Sequence, residues 1–392
     1  MGNYIPFINS QTGRKLVKAH YDNADVARVS LEDCDQLAPL PGSIKLWIDP
    51  GVDGFDDLEA RRSRPGRKNS WYEYMKAIYG FDRITDPLFA SKPDKKVVGK
   101  FVQTLMDLCV VSKPDWITVP QLPIVGNSSR NKINRSLASA TGEWKSTHRF
   151  AGHLILPIIF TNQKQINGKT ERNGKIAQAR RCYDDAHADG VWVVDSTLTD
   201  ESGSKTLRNT RLPAIVAFHQ ELNSAIASTI RIAGPYWGMN LVLWARGLVD
   251  YPAIGVGNSY QYFLSGGTAS TPATRLALSP LRRRASVAQL GTWLNDVLRT
   301  LGTAHPAYKN FELIQKQISL LSDPETARTQ VAKAYRIWLD LISGTPPTGR
   351  SLALYQDLSE AYALGKSLKE LKDEGTARRP ESVAEPLMLN CL

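Results

Sequence analysis

Eight short apolar runs recur along the N-terminal part of this chain, each ending in polar residues or glycine and most separated by segments with helical spacing. They cover residues 4–9, 27–31, 44–49, 116–121, 154–160, 191–195, 230–234 and 253–257. This alternation predicts βα units around a parallel sheet, because parallel neighbours need a long crossover and a helix is its usual form. Eight units suggest a (β/α)8 TIM-like barrel over residues 1–267, with a doubly wound open parallel sheet as the alternative. Run 154–160, Leu-Ile-Leu-Pro-Ile-Ile-Phe, has the continuous apolar character of a strand covered on both faces. Pro157 counts against it, since proline cannot donate to a ladder. Two intervening segments carry broad apolar helical faces: Val98, Phe101, Leu105 and Met106 within 96–111, and Leu212, Ile215, Phe218 and Leu222 within 212–227. The first units are poorly formed, because segment 12–23 is short and 35–43 is rich in proline.

After residue 267 the texture changes. Helices are expected at 287–301, 307–321, 324–343 and 352–372, the third opened by Asp323-Pro324-Glu325, an N-cap carboxylate followed by a first-turn proline. Residues 268–373 therefore read as a helical appendage. The apolar faces of 287–301 and 352–372 either pack on the barrel or meet a protein partner. Residues 374–392, of mixed charge and bearing proline, read as a partly ordered tail.

The balance of 49 Lys plus Arg against 38 Asp plus Glu gives a net charge of +11. Its densest local excess is Arg61, Arg62, Arg64, Arg67 and Lys68, with Trp71, Tyr72 and Tyr74 close behind, a combination suited to phosphates and bases. Arg282-Arg283-Arg284 and the group Lys164, Lys169, Arg172 and Lys175 are further basic clusters, read equally as solubilising loops. A nucleic acid or nucleotide is the expected partner.

The four cysteines lie far apart, which offers neither a disulfide framework nor a zinc ribbon, and no secretory signal or membrane span is evident. A cytoplasmic setting is expected. No GxSxG, GxxxxGK[ST], HExxH or complete GxGxxG motif occurs, so no cofactor or metal is called for. His219 and Glu221 read as a solvated helix face.

Functional groups of parallel α/β folds gather at the carboxyl ends of strands. There the sequence offers Asp49 and Asp195, a candidate catalytic pair, since glycosidic chemistry uses one carboxylate as nucleophile or base and often a second as acid. Each equally suits a cap on the following turn. Gln121 and Asn162 supply side-chain amides that can read a heterocycle or a sugar hydroxyl. Tyr236 and Trp237, set between glycines, offer a stacking platform, and Gly257 and Asn258 complete the candidate substrate-binding set.

Residues 232–257, Ile-Ala-Gly-Pro-Tyr-Trp-Gly-Met-Asn-Leu-Val-Leu-Trp-Ala-Arg-Gly-Leu-Val-Asp-Tyr-Pro-Ala-Ile-Gly-Val-Gly, resemble the strand, helix and glycine-bearing strand of tRNA-guanine transglycosylases and their DNA-acting relatives. The likeness spans about two dozen positions. It implies a (β/α)8 barrel that exchanges a base through an aspartate nucleophile, a role open to Asp195 or Asp49. The family's zinc motif is absent, and its Asp-Ser-Gly-Gly-Phe-Gln strand end is replaced by Asp195-Ser196-Thr197. The expected function is thus transglycosylase-type or N-glycosidase-type chemistry on a base-to-sugar bond. The alternatives are a non-catalytic barrel subunit of a nucleic-acid-processing assembly and a glycoside hydrolase.

Overall fold

In a computed structural model, described for residues 4–8, 11–20, 24–34, 40, 43–52, 93–124, 128–162, 165–198, 207–255, 274–373 and 376–392, the eight apolar runs form a closed parallel barrel. The strands are β1 (Ile5–Ile8), β2 (Val26–Ser30), β3 (Lys45–Asp49), β4 (Trp116–Thr118), β5 (His153–Phe160), β6 (Gly190–Asp195), β7 (Ile230–Ala233) and β8 (Tyr251–Gly255). Strand β1 closes on β8 through the pairs Ile5–Ala253, Pro6–Ile254 and Phe7–Gly255, a ladder that an open doubly wound sheet lacks. Helices α1 (Gln11–His20), α2 (Leu31–Cys34), α3 (Lys95–Val111), α4 (Ser128–His148), α5 (Lys169–Ala186), α6 (Leu212–Ala225) and α7 (Met239–Ala245) follow the first seven strands in turn. The four-residue α2 is all that precedes the proline-rich segment before β3.

Both faces of the strands are buried. Trp47 of β3 meets Trp192 of β6 edge-on at 5.5 Å, and because these strands are not neighbours the contact crosses the barrel axis. Phe7, Trp116, Ile155, Ile159, Val194, Ile232 and Ala253 share that axial cluster. Ile48, Ile117, Leu156, Phe160, Val191 and Val193 alternate with them and face the helices. Pro157 is tolerated for a local reason. The carbonyls of Ile155 and Ile159 accept the N–H groups of Val119 and Ile124, so alternation turns the nitrogen of Pro157 to the same edge, beyond the last residue of the short β4.

A repeated aspartate device fastens the strands in pairs at their amino-terminal ends. Asp115, Asp189 and Asp250 precede β4, β6 and β8, and the N–H of each donates to the carbonyl of Leu46, Leu154 or Arg231 on the preceding strand. The carboxylate of each accepts the N–H of the same residue, at 3.0, 2.8 and 2.9 Å.

Beyond β8 the chain forms the antiparallel pair β9 (Arg275–Leu278) and β10 (Arg283–Ser286), then α8 (Leu290–Leu301) and α9 (Tyr308–Leu321), whose apolar faces make a second core around Leu294, Val297 and Phe311. It returns as α10 (Pro324–Ser343), which packs on α1 and carries Arg336 to the hydroxyl of Tyr4 at 2.9 Å. Helix α10 thereby covers the place of the helix that would follow β8. Helix α11 (Arg350–Ser367) packs on α7 and α10.

The four C-terminal helices occur near where the sequence puts them, the last ending at Ser367 and not at 372, but the appendage reading needs correction. Val331, Tyr335, Trp338, Leu354 and Leu358 belong to the barrel's own core, and the apolar faces of α8 and α11 are spent inside the molecule. The tail reading is corrected too. After β11 (Leu371–Asp373) and β12 (Thr376–Arg378), α12 (Ala384–Leu389) buries Ala384 and Leu387, and Cys391 is buried just beyond it. Among the described residues, no helix is long and apolar enough to cross a membrane.

Candidate active site at the barrel mouth

Asp49 is the last residue of β3 and stands in phase with Trp47, so its side chain is on the axial face at the carboxyl end of the barrel. Arg28 Nε of β2 donates to Asp49 Oδ2 at 3.1 Å, and Nη2 of the same guanidinium donates to that oxygen as well. The Gly51 N–H donates to Oδ1 at 3.0 Å, in a turn where Gly51 takes a φ of 66°, a left-handed conformation that suits glycine. The guanidinium carbon of Arg28 lies 5.0 Å from the Phe7 ring centroid and 6.0 Å from that of Trp192. Arg28 is 8% and Asp49 2% exposed, which makes this a buried ion pair on an aromatic floor. Burying two charges costs several kcal/mol per ion, so such a pair is a poor device for stability alone. It borders a narrow cleft, too tight in this structure to admit a water molecule, whose other walls include Thr118, Gln121, Pro157, Ile159 and Trp192. A carboxylate fixed in this way can stabilise developing positive charge or attack an electrophilic carbon.

Asp195 belongs elsewhere, which corrects the expected carboxylate pair. Its partner in register is Phe160, whose ring packs on Phe218 of α6 at 4.9 Å, so Asp195 lies on the helix-facing side of the sheet. Asp195 Oδ1 accepts the N–H and hydroxyl of Thr197 at 2.9 and 2.7 Å, and Oδ2 pairs with Arg211 at the start of α6. Its N–H donates to the Tyr236 hydroxyl at 2.7 Å. The residue anchors the β6–α6 connection.

The stacking platform is corrected as well. Tyr236 is buried on that same hydroxyl contact. Trp237 donates through Nε1 to the Arg282 carbonyl at 2.9 Å, and its ring is covered by Tyr335, Trp338 and the Arg284 guanidinium. Gln121 lines the cleft while its amide donates to the carbonyls of Pro120 and Asn134 at 2.8 and 2.9 Å, tying β4 to α4. Asn162 is exposed on the β5–α5 connection and is not part of the cleft wall. Gly257 and Asn258 lie outside the described residues, as do Arg61, Arg62, Arg64, Arg67, Lys68 and the aromatics after them.

The arginines 282–284 do not form a loop cluster. Arg282 pairs with Asp357, Arg283 is fully buried and donates to the Arg379 carbonyl at 3.0 Å, and Arg284 covers Trp237. In the third basic group, Arg172 pairs with Glu221 at 2.9 Å and Lys175 is 9% exposed. His219 is 1% exposed, not solvated, and burial, aided by the nearby Arg231, pushes its pKa down to about 3.

Arg28 and Trp192 are the site residues that sequence reasoning missed. A signal existed for the first, since an arginine inside the apolar run Ala27–Leu31 has to find a partner in the core. The sequence matches no protein-family model and no curated protein.

Proposed function

We propose that this barrel engages a nucleic acid or nucleotide at its mouth and that Asp49 is the carboxylate acting there on a base-to-sugar bond. The observation that carries the reading is the Arg28–Asp49 pair: of the two candidate carboxylates, Asp49 faces the axis, at a strand's carboxyl end and beside a cleft. The connection that leaves β3 just after Asp49 also contains Arg61, Arg62, Arg64, Arg67 and Lys68, which can neutralise phosphates. The resemblance of residues 232–257 to tRNA-guanine transglycosylases points to the same chemistry.

In this reading Arg28 donates twice to Oδ2, leaving Oδ1 with the Gly51 N–H and a lone pair for the sugar C1′. The Oδ1–C1′ bond forms as the C1′–N bond breaks, its electron pair leaves with the base, and the base takes a proton from solvent. An incoming base or water then attacks C1′ and frees Asp49. A two-carboxylate glycoside hydrolase is less well supported, since Asp49 and Asp195 stand on opposite faces of the sheet and cannot flank one bond.

Release or exchange of labelled base from RNA and DNA oligonucleotides tests the proposal. Asp49→Asn should lower the rate about 10³-fold or more, while Asp195→Asn, if folded, keeps it. Asp49→Glu, which preserves the charge facing Arg28, is the companion that separates chemistry from folding. Wild-type rates in Asp49→Asn would overturn the assignment.

A further inference from the structure

A broad groove runs between α3 and α4, away from the cleft at Asp49, and it is walled by one face of each helix. Lys95 and Gly99 of α3, one turn apart, face Lys132, Arg135, Ser136 and Ser139 of α4. Arg135 is held by Asp185 at 2.9 Å, whereas Lys95 and Lys132 make no ion pair among the described residues. Glu143, the other acid on the wall, lies eleven residues after Lys132, about 16 Å farther along the α4 axis. The lysine end of the groove belongs to the first two turns of each helix. In a βα unit those turns lie on the mouth side of the barrel, because each helix runs antiparallel to its strand.

Gly99 is informative by what it lacks. It sits inside α3, where glycine is a poor helix former, and a Cβ built there meets nothing within 4 Å. Among the described residues no packing accounts for it. It leaves α3 bare beside the lysines and serines of a groove whose walls also include Pro93, Val98 and Ala140, which allows an extended ligand to approach closely.

We infer that this groove holds the sugar-phosphate backbone of a single nucleic-acid strand, with Lys95 and Lys132 on phosphates and Ser136 and Ser139 donating hydrogen bonds beside them. The inference rests on the nucleic-acid reading above and adds the strand's path. Helix α3 ends the same crossover that carries Arg61–Lys68, so one connection supplies the basic residues that follow β3 in sequence and, at its far end, the Lys95 wall of the groove. Lysines and serines beside Pro93, Val98 and Ala140, with no aromatic ring among the described residues of the wall, suit a backbone and not bases.

Binding of fluorescent twelve-nucleotide oligo-U and oligo-dT to the full chain, followed across a salt series, is the test. The double variant Lys95→Glu/Lys132→Glu should weaken binding at least tenfold at low salt. It should also flatten the dependence of log K on log salt by about 1 to 1.5, the loss of two single-strand phosphate contacts. Gly99→Leu meets none of the described residues and replaces a poor helix former, so it should melt at an equal or higher temperature yet bind at least fivefold more weakly. If the wild type binds neither oligonucleotide, the nucleic-acid reading itself fails. If it binds and the groove variants match it, the groove is overturned and that reading stands. If a poly-glutamate peptide binds as tightly and is equally weakened by both variants, the groove takes acidic polypeptide and the inference is wrong.

Discussion

At the scale of single residues, the buried charges and the buried imidazole make opposite demands. His219 has an ordinary value of 6.5 and is pushed down to about 3 in the fold, because protonation there would place a charge in the α6 interface near Arg231. Its Nε2 has no hydrogen-bond partner among the described residues. As pH falls below 6.5 the unfolded chain binds a proton that the folded chain refuses. The stability that a neutral His219 contributes is therefore fully present above that value and is lost as pH falls toward 3. His219→Leu should show a flatter acid limb in urea titrations, with equal or higher stability at pH 7. Superimposable limbs would mean that this imidazole is not held neutral. The Arg28–Asp49 pair behaves otherwise, because removing one member strands the other. Arg28→Met should cost about 3–5 kcal/mol, and Arg28→Met/Asp49→Leu should recover much of it, both read from denaturant midpoints. A double variant no more stable than the single one would show that the pair holds the fold by itself and is not retained for work at the mouth.

Elements show why so much of the barrel was legible and the site less so. The barrel strands are covered on two sides, and that gives a compact apolar run such as Ile44–Asp49 or Val191–Asp195 its contrast with the flanking polar segments. The same double burial erases the phase of alternation. In β6, Val191 and Val193 face helices while Trp192 and Val194 face the axis, and nothing in an all-apolar run says which way its terminal aspartate turns. Asp49 and Asp195 were therefore equal as sequence and opposite in space. The aspartates before β4, β6 and β8 each directly precede a strand, but their meaning depends on the register that sets Asp115 opposite Leu46 and Asp189 opposite Leu154. Asp189 also pairs with Lys145 at 2.8 Å. Asp189→Ala should thus cost about 2–3 kcal/mol and Asp115→Ala about 1–2, with Asp→Asn milder at either position, as measured by chemical unfolding. Equal, negligible losses at both would mean the backbone ladders alone set the pairing.

For the molecule as a whole, the net charge of +11 divides into two populations. Arg28, Arg211, Arg283 and Arg284 are buried, so they serve the interior and offer nothing to a polyanion. Long-range closure was invisible in the sequence for a related reason. The partners of Trp237 lie about one hundred positions away on α10, and a glycine-flanked aromatic carries no mark of the helix that will cover it. The C-terminal turn depends on another such encounter. A Cβ on Gly365 of α11 would stand 2.6 Å from the Glu381 nitrogen and 2.8 Å from its Cα, and this is backbone that cannot swing aside. Alanine ordinarily stabilises a helix interior by about 1 kcal/mol over glycine, so the sign of Gly365→Ala decides which effect rules. Since the turn at Pro380–Ser382 supplies the Arg379 carbonyl to Arg283 and leads into the buried Leu387, its displacement would disturb both. Gly365→Ala should therefore destabilise the fold by about 2–4 kcal/mol and increase proteolysis of residues 376–392. A stabilised Gly365→Ala chain with an uncut C-terminus would show that α11 and the last seventeen residues are not so closely joined.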